Sequence, residues 1–261
     1  MFFHSFFKSF NKQLSAVSTT RQGGVSEHNY ASMNLCHYVG DKDECVKENR
    51  QLFCQRLGIT SEQLFLPTQT HNDKVLEINN AFLSLSYTKQ NQLLHDIDAL
   101  ITNQKQICIG VSTADCVPIF LYDITNQIIA IIHAGWRGTI AQITTKTLSL
   151  MVNKYNSNPK DIFAAIGPCI SQKNYEIGND LYHIFQQSDF PLEQLFIKNS
   201  ITSKWHLNLS EANRWLLLKA EIPIHQIEIA NICTYDQSHI FFSARKSGIH
   251  SGRIASCIML S

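Results

Sequence analysis

The sequence predicts a mixed α/β (α+β) fold, and three observations carry this prediction. Apolar runs of strand length, such as VPIFLY and IIAIIH, alternate with segments whose apolar residues recur at helical spacing. At 261 residues the chain is long enough to bury a sizeable core. No internal repeat, low-complexity stretch or shift in composition marks a boundary, so we assign residues 1–261 to a single domain.

Composition narrows the classes of partner. The net charge is +1 and 16% of the residues are charged, which gives no electrostatic reason to expect a nucleic acid or an acidic membrane as partner. No apolar run approaches the length of a transmembrane helix, and the aromatic opening segment lacks the features of a secretion signal. The 8 cysteines include no C-x-x-C pair. We therefore expect a cytoplasmic protein with reduced thiols.

The first half of the chain should begin with a strand and pass through an irregular loop into an amphipathic helix. Gly23 and Gly24, together with several Ser, Thr and Asn residues, predict the loop. Acidic residues in the first turn and Gly58 as a stop predict the helix. In order, we expect a strand within 1–10, a loop over 15–35, a helix over 41–57, two short strands within 64–78, a loop or short helix over 79–95, and strands within 95–103 and 105–113.

The second half is centred on a predicted β-hairpin. The runs VPIFLY and IIAIIH are separated by the turn-like DITNQ. Thr139 can cap a helix that runs to Tyr155, and Ser210 can cap another through Leu218. We further expect a strand within 161–166, a helix over 179–187, and strands within 227–234, 239–245 and 252–260, whereas 188–204 gives no clear pattern.

This hairpin carries the first candidate site. Cys116 stands before its first strand and His133 at the end of its second, so pairing of the strands brings the two side chains together. A thiolate and an imidazole on a rigid sheet, beside the AGWRG turn, make half of a metal site. The N-terminal amides of the following helix would favour an anion there. Cys169 could add a thiolate, although a small buried residue is the plainer interpretation.

Four more polar residues have two interpretations each from local pattern alone. At a strand junction, a histidine such as His71 is more often a hydrogen-bonded turn residue than a metal ligand. Asp96 and Asp98 could be acid/base groups, but such a pair more often turns the chain and caps its neighbours. Arg21, beside two glycines, could clamp a phosphate or carboxylate, although the stretch alone favours a loop-pinning role.

Several segments together resemble one known family. They include TTRQGGVS, QTHNDKV, VSTADCVPIFLYD, IHAGWRGT, AAIGPCI and FFSARKSGIHSGRIA, and they run from Thr19 to Ala255. The resemblance is to the YfiH-like, or laccase-domain, family, also called peptidoglycan editing factor or purine nucleoside phosphorylase-like. It implies a single-domain layered sandwich with mixed β-sheets flanked by helices, similar to the catalytic domain of cytotoxic necrotizing factor.

The resemblance also implies a metal site. The family pattern places zinc on the histidine of QTH, the cysteine of ADC and the histidine of HAGW, which are His71, Cys116 and His133 in this sequence. As a member of this set, His71 becomes a predicted ligand. Three protein ligands leave a fourth position open, as in a catalytic zinc site. Zinc suits mixed His and Cys ligands, and copper is an alternative on ligand type.

The activity implied by the resemblance is on purine nucleosides. The family is described as carrying out phosphorolysis of adenosine, inosine and methylthioadenosine to base and sugar 1-phosphate, with adenosine deaminase activity in addition. The expected partners are therefore a purine nucleoside and phosphate, bound by a monomer or homodimer. For deamination, zinc-activated water would attack the purine ring.

Around the metal ligands His71, Cys116 and His133, which we count among the catalytic residues, five further positions receive roles. Asp115 is a candidate proton shuttle, although a residue beside a ligand often points the other way along a strand. Arg21 and Arg245 are candidate clamps for phosphate or ribose. Arg137 is a third candidate or a structural residue of its turn. Asn34 is a candidate substrate contact, with a turn-forming role as the alternative.

Three other functions compete with this one. Cys116 could be the nucleophile of a cysteine hydrolase that edits peptidoglycan precursors, with His133 or His71 as its base. A laccase-like polyphenol oxidase with bound copper is the second, but the 11 histidines include no H-x-H pattern of the kind that holds a copper cluster. A binding protein with a structural zinc is the third.

Overall fold

The computed structural model describes residues 1–3, 7, 10 and 13–261 of the chain. Within these residues we number the strands and helices in chain order. The strands are β1 Phe2–Phe3, β2 Leu14–Ser18, β3 Leu64–Phe65, β4 Val75–Glu77, β5 Ala99–Thr102, β6 Cys108–Thr113, β7 Val117–Asp123, β8 Ile128–Ala134, β9 Ile162–Ile166, β10 Glu176–Ile177, β11 Phe196–Lys198, β12 Trp205–Leu207, β13 Ile227–Ile229 and β14 Ile254–Leu260. The helices are α1 Asp43–Leu57, α2 Asn80–Leu83, α3 Tyr87–Leu93, α4 Trp136–Ile140, α5 Ile143–Tyr155, α6 Asn179–Gln186, α7 Leu192–Leu195, α8 Leu209–Lys219 and α9 Ala244–Ser247.

The strands form three sheets. The largest has six strands in the order β13-β9-β7-β8-β5-β4, and a second has five in the order β1-β2-β14-β6-β3. Both are mixed, because the outer pairs β13–β9 and β4–β5 of the first and β3–β6 of the second are parallel while the remaining pairs are antiparallel. The third is a small antiparallel sheet in the order β10-β12-β11.

One face of the six-stranded sheet is covered by helices. In β8, Ala130 and Ile132 face this side and pack with Ile143 and Met151 of α5 and with Leu216 of α8. These five side chains are all fully buried. The apolar stripe of each helix therefore finds its partner on the sheet rather than in solvent.

The other face of the same sheet is buried against the five-stranded sheet. Ile129 and Ile131, which alternate with the helix-facing residues of β8, meet Ile109 of β6 and Ile258 of β14. Because both faces of β8 are covered, its sequence is a continuous apolar run instead of an alternating one.

A helix closes the outer face of the five-stranded sheet. Phe53 of α1 packs there with Val17 of β2 and Cys257 of β14. Helices, six-stranded sheet, five-stranded sheet and helix thus lie in successive layers. This arrangement confirms the predicted layered sandwich of mixed sheets with flanking helices.

Most predicted elements are confirmed with small shifts at their ends. The hairpin is β7–β8, the helix before Gly58 is α1, and Gly58 ends it with a left-handed φ of 71°. The strand expected within 1–10 is present as Phe2–Phe3, and part of that prediction lies outside the described residues. No described helix is long and apolar enough to cross a lipid bilayer.

Four details of the prediction are wrong. The helix expected from Thr139 to Tyr155 is two helices, because Gln142 between them has a left-handed φ of 59°. Asn208, and not Ser210, caps α8 by accepting from the Glu211 amide. The strand expected over 239–245 is a turn followed by α9, and the loop expected from residue 15 begins only after β2.

Candidate metal centre

The central hairpin brings two of the candidate ligands together. Pro118 of β7 pairs with His133 of β8, and Cys116 lies two residues before Pro118 at the same end of the hairpin. Cys116 is half-buried, whereas His133 is buried with 3% of its surface exposed. His133 therefore lies near the end of a buried strand, and Cys116 lies in the bend that leads directly into the strand paired with it.

His71 reaches the same point from the loop between β3 and β4. Its backbone has a φ of 64°, which is uncommon for a residue with a side chain. The amides of Thr70, His71 and Asn72 all donate to the carboxylate of Asp98, at 3.2, 3.1 and 3.0 Å. Asp98 immediately precedes β5, which pairs with β8, so this carboxylate ties the His71 loop to the sheet that carries His133.

The three side chains form one cluster. Their candidate ligand atoms all lie within 4.8 Å of one another, and Cys116 Sγ is 3.7 Å from His71 Nε2. The rings of His71 and His133 meet edge to face with their centroids 4.7 Å apart. Because His71 is exposed while His133 is buried, the cluster opens towards solvent on the His71 side.

The donor chemistry of the cluster fits a metal ion. His133 Nδ1 lies 2.6 Å from Asp98 Oδ1, and a carboxylate can only accept, so this bond places a proton on Nδ1. In the neutral imidazole, Nε2 is then free to coordinate a metal. Two imidazole nitrogens and one thiolate are ligands that zinc and copper both accept. A substrate or water would complete the coordination from the open side.

The charges of the cluster are strongly coupled. Burial alone would raise the pKa of the Cys116 thiol, but the charges and hydrogen bonds of His133 and His71 lower it to about 6. Burial alone would lower the pKa of His133, but the Cys116 thiolate and the Asp98 carboxylate raise it to about 9. The lowered pKa favours the thiolate of Cys116, which is the form that binds metals and attacks electrophiles.

The glycine of the AGWRG turn is required by the cluster. A Cβ added at Gly135 would lie 2.9 Å from His71 Cδ2 and 3.2 Å from Cys116 Sγ. Any side chain at this position would therefore collide with two candidate ligands. Gly135 also precedes α4, so the turn that follows β8 packs directly against the site.

Two exposed arginines and a tyrosine lie beside the cluster. Arg137 stacks on Trp136 at 4.2 Å, and Arg245 lies over the Tyr175 ring at 5.3 Å and donates to the Glu176 carbonyl at 2.9 Å. Burial raises the pKa of Tyr175, and the charges of Cys116, Arg245 and Arg137 all act on this hydroxyl. Tyr175 has no predicted role, because a single tyrosine in a loop carries no signal of its own in the sequence.

Two of the predicted substrate contacts are engaged inside the fold. Asn34 is fully buried, and its amide donates to the Cys36 carbonyl and to Asp41, which agrees with the turn-forming alternative. Arg21 donates to the carbonyls of Ala31 and Ser238 at 2.9 and 2.8 Å, which agrees with the loop-pinning alternative.

Asp115 and Cys169 are placed beside the cluster without joining it. Asp115 accepts from the Thr234 hydroxyl and from the Arg245 amide, both at 2.7 Å, so its carboxylate holds the start of α9. Burial raises the pKa of the Cys169 thiol to about 12, which keeps it protonated. It is not part of the group of close ligand atoms in the described chain.

The contact between Asp98 and His133 is the feature of the site that the sequence does not reveal. The pair Asp96 and Asp98 was expected either to do acid/base work or to cap its neighbours, and Asp98 indeed caps the His71 loop. Its second partner, His133, lies 35 residues away in sequence. Only the pairing of β5 with β8 reveals that contact, since no local pattern encodes it.

The chain matches known proteins over most of its length. Residues 15–261 match the family described as multi-copper polyphenol oxidoreductase laccase. A purine nucleoside phosphorylase of Bacteroides thetaiotaomicron is 44% identical over 247 residues, which cover 95% of this chain and 92% of that protein. Adenosine deaminase RL5, from an unknown prokaryotic organism, is 38% identical over 238 residues, which cover 91% of this chain and 90% of that protein.

Solved structures agree with the fold. The hypothetical protein YfiH of Bacillus licheniformis superposes with a TM-score of 0.88 at 30% identity, covering 95% of this chain and 93% of that one. YlmD from Geobacillus stearothermophilus also gives 0.88, at 27% identity, covering 98% of this chain and 94% of that one. The layered architecture is thus shared over nearly the whole chain.

Proposed function

The chain belongs to the YfiH-like family described as multi-copper polyphenol oxidoreductase laccase, and we propose that it is a zinc-dependent purine nucleoside enzyme. Its reactions are phosphorolysis of adenosine, inosine and methylthioadenosine to base and sugar 1-phosphate, and deamination of adenosine. Relatives named purine nucleoside phosphorylase and adenosine deaminase, both aligned over at least 90% of their own length, support this assignment.

The observation that carries the proposal is the open cluster of His71, Cys116 and His133, with ligand atoms within 4.8 Å. These residues would hold the ion, which supplies Lewis-acid chemistry at its open position. His133 and Cys116 are fixed by the hairpin, so the chain itself contributes a pre-oriented site on a rigid sheet. The exposed face of His71 is the side from which a nucleoside would enter.

The arginines next to the cluster supply what phosphorolysis needs. Phosphate must be held against the ribose while the base departs through a cationic transition state. Arg137 and Arg245 are both exposed, and the charges of both act on the Tyr175 hydroxyl. A phosphate bound near this hydroxyl would therefore be attracted by both guanidinium groups. Asp115 contributes indirectly, because it accepts from the Arg245 amide and so fixes the position of that residue.

Copper is the alternative metal, and with it a laccase-like polyphenol oxidation. The donor set alone admits copper. A copper cluster of the multicopper type needs several histidine-rich sites, however, and within the described part of the chain His71, Cys116 and His133 are the one group with ligand atoms this close. Elemental analysis of the purified protein, together with an assay on a polyphenol, distinguishes the two metals and the two reactions.

The proposal is tested by analysing products. Protein of known zinc content is incubated with adenosine, with and without phosphate, and the products are separated by chromatography. Adenine and ribose 1-phosphate that form only with phosphate establish phosphorolysis, and inosine in both samples establishes deamination. Metal-loaded protein that gives no product from adenosine, inosine or methylthioadenosine would refute the assignment.

A cysteine hydrolase is the second candidate, since two neighbouring histidines lower the pKa of the Cys116 thiol. Such a pair can attack a carbonyl carbon without a metal. A chelator and a thiol-alkylating reagent separate the two chemistries. The hydrolase would keep its activity in chelator and lose it on alkylation, whereas a bound metal would protect Cys116 from the reagent.

A further inference from the structure

Asp98 lies beneath the cluster and makes an unusual set of contacts. Its Oδ1 accepts from His133 Nδ1 at 2.6 Å and from the His71 amide at 3.1 Å. Its Oδ2 accepts from the amides of Thr70 and Asn72 at 3.2 and 3.0 Å. The residue is fully buried. One carboxylate therefore contacts both of the histidines that face the metal position.

The two histidines come from separate parts of the fold. His133 belongs to the six-stranded sheet, whereas His71 lies in a loop that leaves the five-stranded sheet through β3 and enters the six-stranded sheet through β4. Their separation is therefore not fixed by either element alone. Asp98 joins them, because it binds the backbone of His71 on one side and the ring of His133 on the other.

We propose that Asp98 is a positioning residue that sets both the separation of His71 from His133 and the tautomer of His133. This inference rests on the metal site of the proposed function, and it adds to that site a residue that is not itself a ligand. A proton held on His133 Nδ1 by Asp98 would leave Nε2 as the ring nitrogen that can bind a metal. The three loop amides hold His71 in its left-handed conformation, which aims its ring at Cys116.

Only a carboxylate satisfies all four contacts. An ionised carboxylate offers about four acceptor sites and no donor, which matches four N–H donors. Asparagine has the same shape, but one of its two terminal groups is an NH₂ donor. In Asp98→Asn, an NH₂ group in place of Oδ1 loses the bonds from the His133 ring and the His71 amide. An NH₂ group in place of Oδ2 loses the bonds from Thr70 and Asn72, the amides on either side of His71, so either orientation loosens the hold on His71.

Asp96 provides a matched control two residues away. Its carboxylate also pins the His71 loop, since it accepts from the Thr70 hydroxyl, the Asn72 side-chain amide and Lys74 Nζ. No hydrogen bond joins it to His71 or His133 among the described residues. If Asp98 only stiffened the loop, Asp96 would share its role. Among the described residues, however, the His71 amide and the His133 ring make hydrogen bonds with Asp98 and not with Asp96.

The experiment compares wild type, Asp98→Asn and Asp96→Asn as full-length proteins. Each is stripped of metal, and its zinc affinity is measured by competition with a chromophoric chelator. The absorption spectrum of the cobalt(II) form reports the geometry of the ligands and the bond to thiolate. We expect Asp98→Asn to bind zinc about 10- to 100-fold more weakly and to alter the cobalt spectrum. We expect Asp96→Asn to keep both the affinity and the spectrum of wild type.

A measurement on wild type keeps the test valid even when Asp98→Asn does not fold. In protein labelled with nitrogen-15, imidazole NMR identifies the protonated nitrogen of His133 with zinc bound. We expect a proton on Nδ1 and none on Nε2. A proton on Nε2, wild-type zinc affinity and cobalt spectrum in Asp98→Asn, or equal weakening in Asp96→Asn would each overturn the inference.

Failure of the proposed function gives a different result. All of these readouts concern metal binding and none requires turnover. Wild type that binds zinc but has no activity on nucleosides would refute the proposed reaction and leave the role of Asp98 standing. Wild type that binds no metal would overturn both.

Discussion

Replacing Gly135 with alanine should damage the metal site while leaving the fold intact. The backbone at Gly135 has φ of −72° and ψ of 172°, an extended conformation that alanine adopts without strain. The nearest atoms to the new methyl group all belong to His71 and Cys116. The whole steric cost therefore falls on two candidate ligands.

The size of the disturbance follows from the distances. The added Cβ would stand 2.9 Å from His71 Cδ2, and ordinary contact begins at 3.4 Å, so the ring must move by about 0.5 Å. His71 is exposed and can move outwards, which lengthens its 3.7 Å separation from Cys116 Sγ. Since a 1 Å misplacement can cost on the order of 100-fold in rate, we expect zinc affinity and nucleoside turnover to fall by about tenfold or more.

The assay for Gly135→Ala pairs zinc affinity with thermal unfolding of the metal-free protein. Stability should stay the same or rise by about 0.4–1 kcal/mol, because alanine restricts the unfolded chain. Gly58→Ala is the matched control with the opposite expectation. Gly58 has a φ of 71° and nothing within 4 Å, so alanine there costs about 1 kcal/mol of stability and leaves the metal site unchanged. Wild-type zinc affinity in Gly135→Ala would refute the reasoning.

Three further changes have defined outcomes. Cys116→Ala should reduce the zinc content of the purified protein to near zero with an unchanged circular dichroism spectrum, and full zinc content would contradict its role as ligand. Arg245→Ala should raise the KM for phosphate by about tenfold or more with a smaller change in kcat, measured by steady-state kinetics. Burial would raise the pKa of Glu77, but hydrogen bonds from Lys154 and Tyr155 lower it below its ordinary 4.5. A carboxylate whose pKa is lower in the folded than in the unfolded chain stabilises the fold above the unfolded pKa, and this stabilisation is lost as the pH falls through the folded pKa. Glu77→Gln should therefore flatten the pH dependence of the unfolding temperature below about pH 4.5.

Local pattern predicts the hairpin at the centre of the site for a physical reason. Both strands are covered on each face, so their sequences are uninterrupted apolar runs that stand out from the rest of the chain. The short turn between them fixes the register, and the register places Cys116 and His133 at one end. The proximity of two of the three candidate ligands can thus be predicted from the sequence of the hairpin alone.

The errors arise where two local solutions have similar energies. Asn208 and Ser210 are both good helix caps, and the sequence does not show which hydroxyl or amide will reach the free N–H groups. The apolar residues Phe241 and Phe242 look like strand residues. In the structure they follow a turn, lie in no strand and have buried side chains. A strand needs a neighbour to pair with, and the presence of that neighbour is decided by tertiary structure.

The third candidate ligand illustrates the same limit at the site itself. His71 is exposed, lies in a loop and has a left-handed backbone, so each of its local properties is that of an ordinary turn residue. It becomes part of a cluster only because the Asp98 carboxylate, 27 residues further along the chain, gathers the loop amides around it. Asp98 can do this because β5 pairs with β8 and is thereby held next to His133. We therefore expect substitutions that loosen β5 from β8 to weaken metal binding without touching any of the three candidate ligands.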